Sequence, residues 1–287
     1  MAFIHVRAEE GRLPSPSGRI VSPQVTESSG LSKSSKITGL YWTHNDSGGK
    51  AELYPLTESG EVFGDAVEVD GAVNFDWEAL CVDGEGRIWI GAFGNNFNRR
   101  QDLKIYQIRE PEGELPVSVT VEKTLHFSFP DQKAFPPAEM NFDCEALFFY
   151  KGHLYVLTKH RSDTFSKLYR IEDLETEDKQ MAIFLGQRDL GEMVTDAAMH
   201  PDGKYLMVLT PAGLWLFEAP AVGDHFLQEG GRRFLFEPWV LLQIEGITWI
   251  DDHHVLFSNE QRDLYTLDIR SEGWEGFDAF GVVDAQE

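Results

Sequence analysis

Short apolar runs separated by Gly/Asp/Asn turns recur along this chain, and the same order of runs repeats. Ala79-Leu80-Cys81-Val82 is followed by the turn Asp83-Gly84-Glu85-Gly86 and then by Ile88-Trp89-Ile90. Leu147 to Tyr150 leads through Lys151-Gly152 to Leu154-Tyr155-Val156-Leu157. His200-Pro201-Asp202-Gly203-Lys204 opens Tyr205 to Leu209, and Asp251-Asp252-His253 opens Val255-Leu256-Phe257. Such pairs predict β-hairpins, because alternating apolar strands need tight Gly/Asp turns between them. A third run follows in each copy, at Leu53–Leu56, Ile105–Ile108, Leu168–Ile171, Leu214–Phe217 and Leu264–Leu267; four carry Tyr in second place and one carries Trp. Fourth runs are looser, as in Val62 to Val69 and Val117 to Phe129.

The first run of a copy opens on an acid, a small residue and an apolar one. The pattern reads Asp76-Trp77-Glu78-Ala79-Leu80, Asp143-Cys144-Glu145-Ala146-Leu147 and Ile244-Glu245-Gly246-Ile247, with weaker copies at Glu27–Leu31 and Thr195–Met199. Taking Ser29, Glu78, Glu145, Ala197 and Glu245 as equivalent gives spacings of 49, 67, 52 and 48, the long one carrying a Pro-containing insertion from Phe129 to Pro137. Four antiparallel strands per repeat, each sheet able to bury its faces only on its neighbours, predict an all-β β-propeller. We expect one domain spanning 1–287, with units starting near 27, 76, 143, 195 and 243. Five blades follow from this count, or six if the terminal segments supply another. Arg19-Ile20-Val21 is placed to close the ring.

In a propeller the first strand of each blade lines the channel. The repeated acids should therefore meet at one mouth, beside the ends of the second strands. Those ends are polar: His44-Asn45-Asp46-Ser47, Asn95-Asn96 with Asn98-Arg99-Arg100, Thr158-Lys159-His160 and Ser258-Asn259-Glu260. Three carboxylates around one axis need a balancing cation or basic side chains. A hard cation such as calcium suits carboxylate and amide oxygens, which makes Glu78, Glu145, Glu245, Asn95 and Asn259 the expected metal ligands. Internal pairing with Lys159, Arg99 and Arg100 is the competing arrangement. His44 or Asp46 is the candidate general base, and Lys159, Arg99 and Arg100 would hold an anionic substrate. Trp77 and Trp249 should pack between blades. Ser47 is better explained as a turn residue than as a nucleophile, since no GxSxG surrounds it.

Composition narrows the partners. The 287 residues hold 48 acidic and 25 basic side chains, a formal charge of −23. Such a field repels phosphate backbones and anionic membranes, so no nucleic-acid role and no membrane insertion are expected. A small polar or anionic molecule is the expected partner. Two cysteines, Cys81 and Cys144, offer no zinc or redox motif. The first ten residues show no basic segment followed by an apolar stretch, so the sequence as given reads as soluble and without a signal peptide.

Trp42–Gly48, Asp76–Leu80, Gly94-Asn95-Asn96 with Arg99, Leu157-Thr158-Lys159 and Gln243–Ile247 together resemble a family of bacterial propellers, those called SdiA-regulated and, more distantly, the phytase-like ones. The likeness runs from Glu27 to Asp268. It implies five or six blades and a cation at the acidic mouth; relatives of this kind are often exported, and the phytase-like ones carry metal and phosphate-ester chemistry. The family's Gly-Asp-Ile-Gly-Asp-Asn is replaced here by Gly91-Ala92-Phe93-Gly94-Asn95-Asn96, which removes two acids, and Ala198 stands where Asp is common. Two functions follow as expectations. The first is a non-catalytic propeller whose mouth binds a divalent cation or small polar ligand. The second is a metal-dependent hydrolase of a phosphate ester or lactone at the same mouth.

Overall fold

A computed structural model describes residues 15–236 and 241–279. The N-terminal segment read above for an export signal lies outside the described residues. In chain order, β1 (Gly18–Arg19) precedes β2 (Ser28–Lys33), β3 (Tyr41–Asn45), β4 (Glu52–Leu56) and β5 (Val67–Asp70), the strands of a first unit. The second unit holds β6 (Ala79–Val82), β7 (Arg87–Ala92), β8 (Lys104–Arg109) and β9 (Ser118–Ser128). The third holds β10 (Asp143–Tyr150), β11 (His153–Lys159), β12 (Phe165–Ile171), the short β13 (Gln180–Met181) and β14 (Ile183–Asp189). The fourth holds β15 (Asp196–Met199), β16 (Tyr205–Thr210), β17 (Gly213–Glu218) and β18 (Gly231–Leu235). The last holds β19 (Ile244–Trp249), β20 (His254–Asn259) and β21 (Asp263–Asp268), and β22 (Trp274–Phe277) follows it.

Within each unit successive strands pair antiparallel, as the hairpin turns require, except that the short β13 runs parallel to β9 of the second unit. The innermost strands β2, β6, β10, β15 and β19 each touch the next, and β19 returns to β2. The protein is an all-β propeller. Closure is made by β1, which adds to the last unit through Gly18 opposite Leu264 and Arg19 opposite Asp263. Two features escaped the sequence pattern. β5 pairs in parallel with β9, joining the first two units along their outer edges. β22 doubles back to cover the edge of β18, which removes an open row of backbone donors and acceptors.

The middle strands β3, β7, β11, β16 and β20 are buried along nearly their whole length. That is why they read as continuous apolar runs rather than strict alternation: both faces pack on neighbouring sheets. Apolar clusters fill successive gaps between units. Trp42, Trp77 and Tyr106 fill the first gap and Trp89, Phe127 and Tyr169 the second. Phe148, Phe217 and Phe226 follow, then Met207, Phe257 and Trp249. Ile20, Tyr41, Tyr54 and Leu256 seal the last gap. Each fully buried side chain of this size contributes roughly 1.5–3 kcal/mol, so cohesion is spread around the ring.

Candidate functional site: the acidic channel mouth

Local backbone geometry aims the acids at the axis. Register slips between Cys144 and Ala146, and again between Ile244 and Gly246, leave Glu145 and Glu245 as extra residues in β-bulges. A bulge bends its strand and re-aims a side chain. The matching slip in the first unit falls between Ser29 and Leu31, so Gly30, not Ser29, holds the equivalent position. Gly30 has φ +73°, and a β-carbon there would meet His44 Nε2 at 2.7 Å. Glu78 immediately precedes β6, its N–H bonded to the Gly91 carbonyl at 3.0 Å. In the fourth unit Asp196 turns its carboxylate onto the backbone N–H groups of Ala197 and Ile247, both at 2.8 Å.

Glu78, Glu145 and Glu245 are all buried, and Glu145 feels the charge of both others. They are not alone. Asp46, Asp76 and Asp143 share the mouth with them, and Glu27 and Glu260 bear on its edge. Burial, then mutual repulsion, drives the Glu78 and Glu145 carboxyls well above the usual range. Glu245 is raised to about 7, mainly by burial, and Asp46 to about 6 by burial and the nearby Asp76. Two cations offset part of this. Lys159 Nζ lies 3.3 Å from Glu145 Oε1. Burial alone would depress that ammonium, but Glu145, Glu245, Glu78 and Asp143 hold it above its ordinary value. Arg161 grips Asp143 Oδ2 through Nε at 2.8 Å and Nη2 at 2.6 Å, and also reaches Asn96 Oδ1.

Oxygens of Asp46, Asp76 and Glu78 lie within 4.8 Å of one another. Among the described residues no hydrogen bond or ion pair reaches the Glu78 carboxylate, which is 6% exposed. Asp46 Oδ1 is likewise enclosed without a partner. Gly94 makes the space: a β-carbon on it would fall 2.0 Å from Glu78 Oε1 and 2.7 Å from Asp76 Cγ. Asp76 adopts φ +59°, a left-handed conformation uncommon outside glycine, and such strain concentrates at functional positions. Asp46 and Glu78 offer unpartnered oxygens, Asp76 converges on them with its Oδ2 3.9 Å from Arg100 Nη1, and the three form a donor set suited to a hard divalent cation.

The other expected site residues are placed differently. His44 is fully buried, edge-on to Trp77 at 5.6 Å, with Nδ1 on the Asn45 carbonyl; burial lowers it to about 4. It is sealed from the mouth rather than poised as a base. Asn259 spends both ends of its amide at home: Oδ1 accepts the Asp263 N–H and Nδ2 donates to the Leu241 carbonyl. Asn45 does the same with Thr26 and Gln24, and each of these amides also reaches the tyrosine hydroxyl of its third strand, Tyr54 or Tyr265. The repeated Tyr is thus a loop clamp. Asn95 Oδ1 accepts the Arg100 backbone N–H, which leaves Nδ2, a donor and no metal ligand, without a partner. Arg100 binds the carbonyls of Gly94 and Ala92 and stacks over Phe75 at 4.8 Å. Arg99 is exposed. Asp76, Asp143 and Arg161 were missed as site residues. The first two head the repeated motif, a signal that was available; nothing in the spacing marked Arg161.

No family model and no curated protein matches the chain, so the SdiA-regulated and phytase-like resemblance rests on its motifs. Solved structures are similar at low identity. The PQQ-bound aldose sugar dehydrogenase from Streptomyces coelicolor is 9% identical, covering 89% of this chain and 98% of that one with a TM-score of 0.49. A streptogramin B lyase is 12% identical, covering 89% and 72% with a TM-score of 0.39. No helix among the described residues is long and apolar enough to cross a membrane.

Proposed function

We propose that this propeller is a binding protein whose acidic mouth holds a divalent cation, calcium by donor chemistry, on Asp46, Asp76 and Glu78. The observation that carries it is the Glu78 carboxylate, 6% exposed and without a hydrogen-bond partner among the described residues. A buried ionised carboxylate is costly unless paired or coordinated. Calcium takes six to eight oxygens, so three carboxylates leave positions for water or for an oxygen of a small polar ligand. Glu145 and Asp143 are engaged by Lys159 and Arg161, which supports a smaller ligand set than the five residues expected from sequence.

Non-catalytic binding is favoured over hydrolysis of a phosphate ester or lactone. His44 is sealed away, Arg100 is committed to backbone carbonyls, and Arg99 is exposed. Calcium titration followed by calorimetry tests the reading. Saturable one-to-one binding with a rise in melting temperature is expected, and Glu78→Gln should remove both. Absence of a shift at millimolar calcium in the parent chain refutes the cation site. Turnover of a phosphate-ester or lactone panel that vanishes with Glu78→Gln would instead support the hydrolase.

A further inference from the structure

The far ends of the inner strands frame a separate cavity. Where the acids mark the start of β6, β10 and β19, this cavity is lined by the opposite ends, including Leu31–Ser35, Leu80–Gly84, Phe148–Lys151, Ala197–Tyr205 and Ile247–Trp249. All five units contribute, and the volume is about 1010 Å³. We propose that it is a second ligand site, for a small organic anion with an apolar body.

Part of the wall is apolar because several of its polar groups lock neighbouring units together. Ser32 Oγ accepts the Val82 N–H and Thr248 Oγ1 accepts the Lys33 N–H, both at 3.1 Å. Trp249 Nε1 donates to the Ala198 carbonyl at 3.1 Å. Half-buried Cys81, Val82, Phe149, Ala198 and Met199 remain to meet a ligand. The size matches the upper end of small-molecule sites, roughly 300–1,000 Å³.

Charge selects an anion. Asp83 and Asp202 on the wall are neutralised by Arg87 and Lys204, each at 2.6 Å, which leaves exposed Glu218 as the one lining carboxylate without an ion pair to a described residue, against two lysines. Lys33 and Lys151 are exposed, and neither is ion-paired with a described residue: Lys33 Nζ reaches the Ile250 carbonyl, and Lys151 Nζ lies 4.8 Å from the Tyr150 ring. In a chain of formal charge −23, this end carries two ammonium groups without a carboxylate partner among the described residues, beside a partly apolar hollow.

The fluorescent anion anilinonaphthalene sulfonate and its uncharged analogue phenylnaphthylamine test the proposal on the full chain. Both should bind saturably, one per chain. Lys33→Glu with Lys151→Glu should weaken the sulfonate by about tenfold and the neutral dye little, as expected for exposed charge pairs. Ala198→Glu should abolish both. Bound dye should also slow maleimide labelling of Cys81 in the parent chain, a readout independent of any variant's folding, while Cys144 is fully buried. Glu78→Gln should leave all of this unchanged, which separates this site from the cation site. Dye binding that survives Ala198→Glu in a folded chain, Cys81 labelling unaffected by dye, or no saturable binding would each overturn the proposal.

Discussion

Lys159 Nζ sits 3.3 Å from Glu145 Oε1, with the ammonium 13% and the carboxylate 3% exposed. Glu245, Glu78 and Asp143 also raise its proton affinity. Lys159 is therefore, with Arg161, an internal counterion of the channel mouth, and Asp46 and Glu78 are left without an ion pair among the described residues, as the proposed cation site requires. Removing one partner of a buried pair strands the other in a poor solvent, typically at a cost of about 3–5 kcal/mol. Lys159→Met should lose about 3 kcal/mol of unfolding free energy at pH 8, read by urea titration. Adding Glu145→Gln should restore much of the loss, because no stranded charge remains. A single variant as stable as the parent would show the pair to be incidental.

Gly94→Ala separates the cation site from the fold. The added methyl would contact Glu78 Oε1 and the Asp76 carboxyl. Both are ends of side chains that can swing, and Gly94 does not have a positive φ. Stability should fall by about 1–3 kcal/mol, the usual scale for overpacking a filled site, and leave the chain folded. Calcium affinity should fall by about tenfold or more, since a coordination shell depends on where its carboxylates point. Calorimetry on the folded variant measures both. Unchanged affinity would place the cation elsewhere.

The ring was legible because stacking forces every unit to repeat the same apolar runs and turns. The third-strand Tyr was visible for the same reason, although its purpose, clamping Asn45 and Asn259, emerged only from the contacts. The convergence of Glu78, Glu145 and Glu245 was readable from their place at the head of each first strand. What failed to show was which acids would be used up internally. That depends on Arg161, whose side chain crosses from the loop after β11 to Asp143 and Asn96, and on bulges that shift one residue without altering the pattern. Asn95 and Asn259 look like ligands in sequence because turn amides and metal amides are the same residue. Only the hydrogen-bond partners separate them.

The pH dependence of stability follows from two opposed groups. Glu245 at about 7 and Asp46 at about 6 are raised by burial and neighbouring charge. A raised carboxylate favours folding fully below its unfolded value, and that contribution is lost as pH climbs through the folded one. His44 is lowered to about 4 by burial. Its contribution is present above the ordinary histidine value and is lost as pH falls toward the folded one. The two carboxylates outweigh the single histidine where their windows overlap, so without divalent cations melting temperature should fall as pH climbs from about 5 to about 8, less steeply below about 6.5, where His44 opposes them. Calorimetry in chelator from about pH 4 to about pH 8.5 spans both windows. Glu245→Gln should make the decline shallower, and His44→Gln should make it steeper below about pH 6.5. Calcium should lift the alkaline end most, because it competes with protons for Asp46, Asp76 and Glu78. A cation-free melting temperature that keeps rising to about pH 8 would mean that these carboxylates are ionised at no cost, and the demand for a metal would disappear with it.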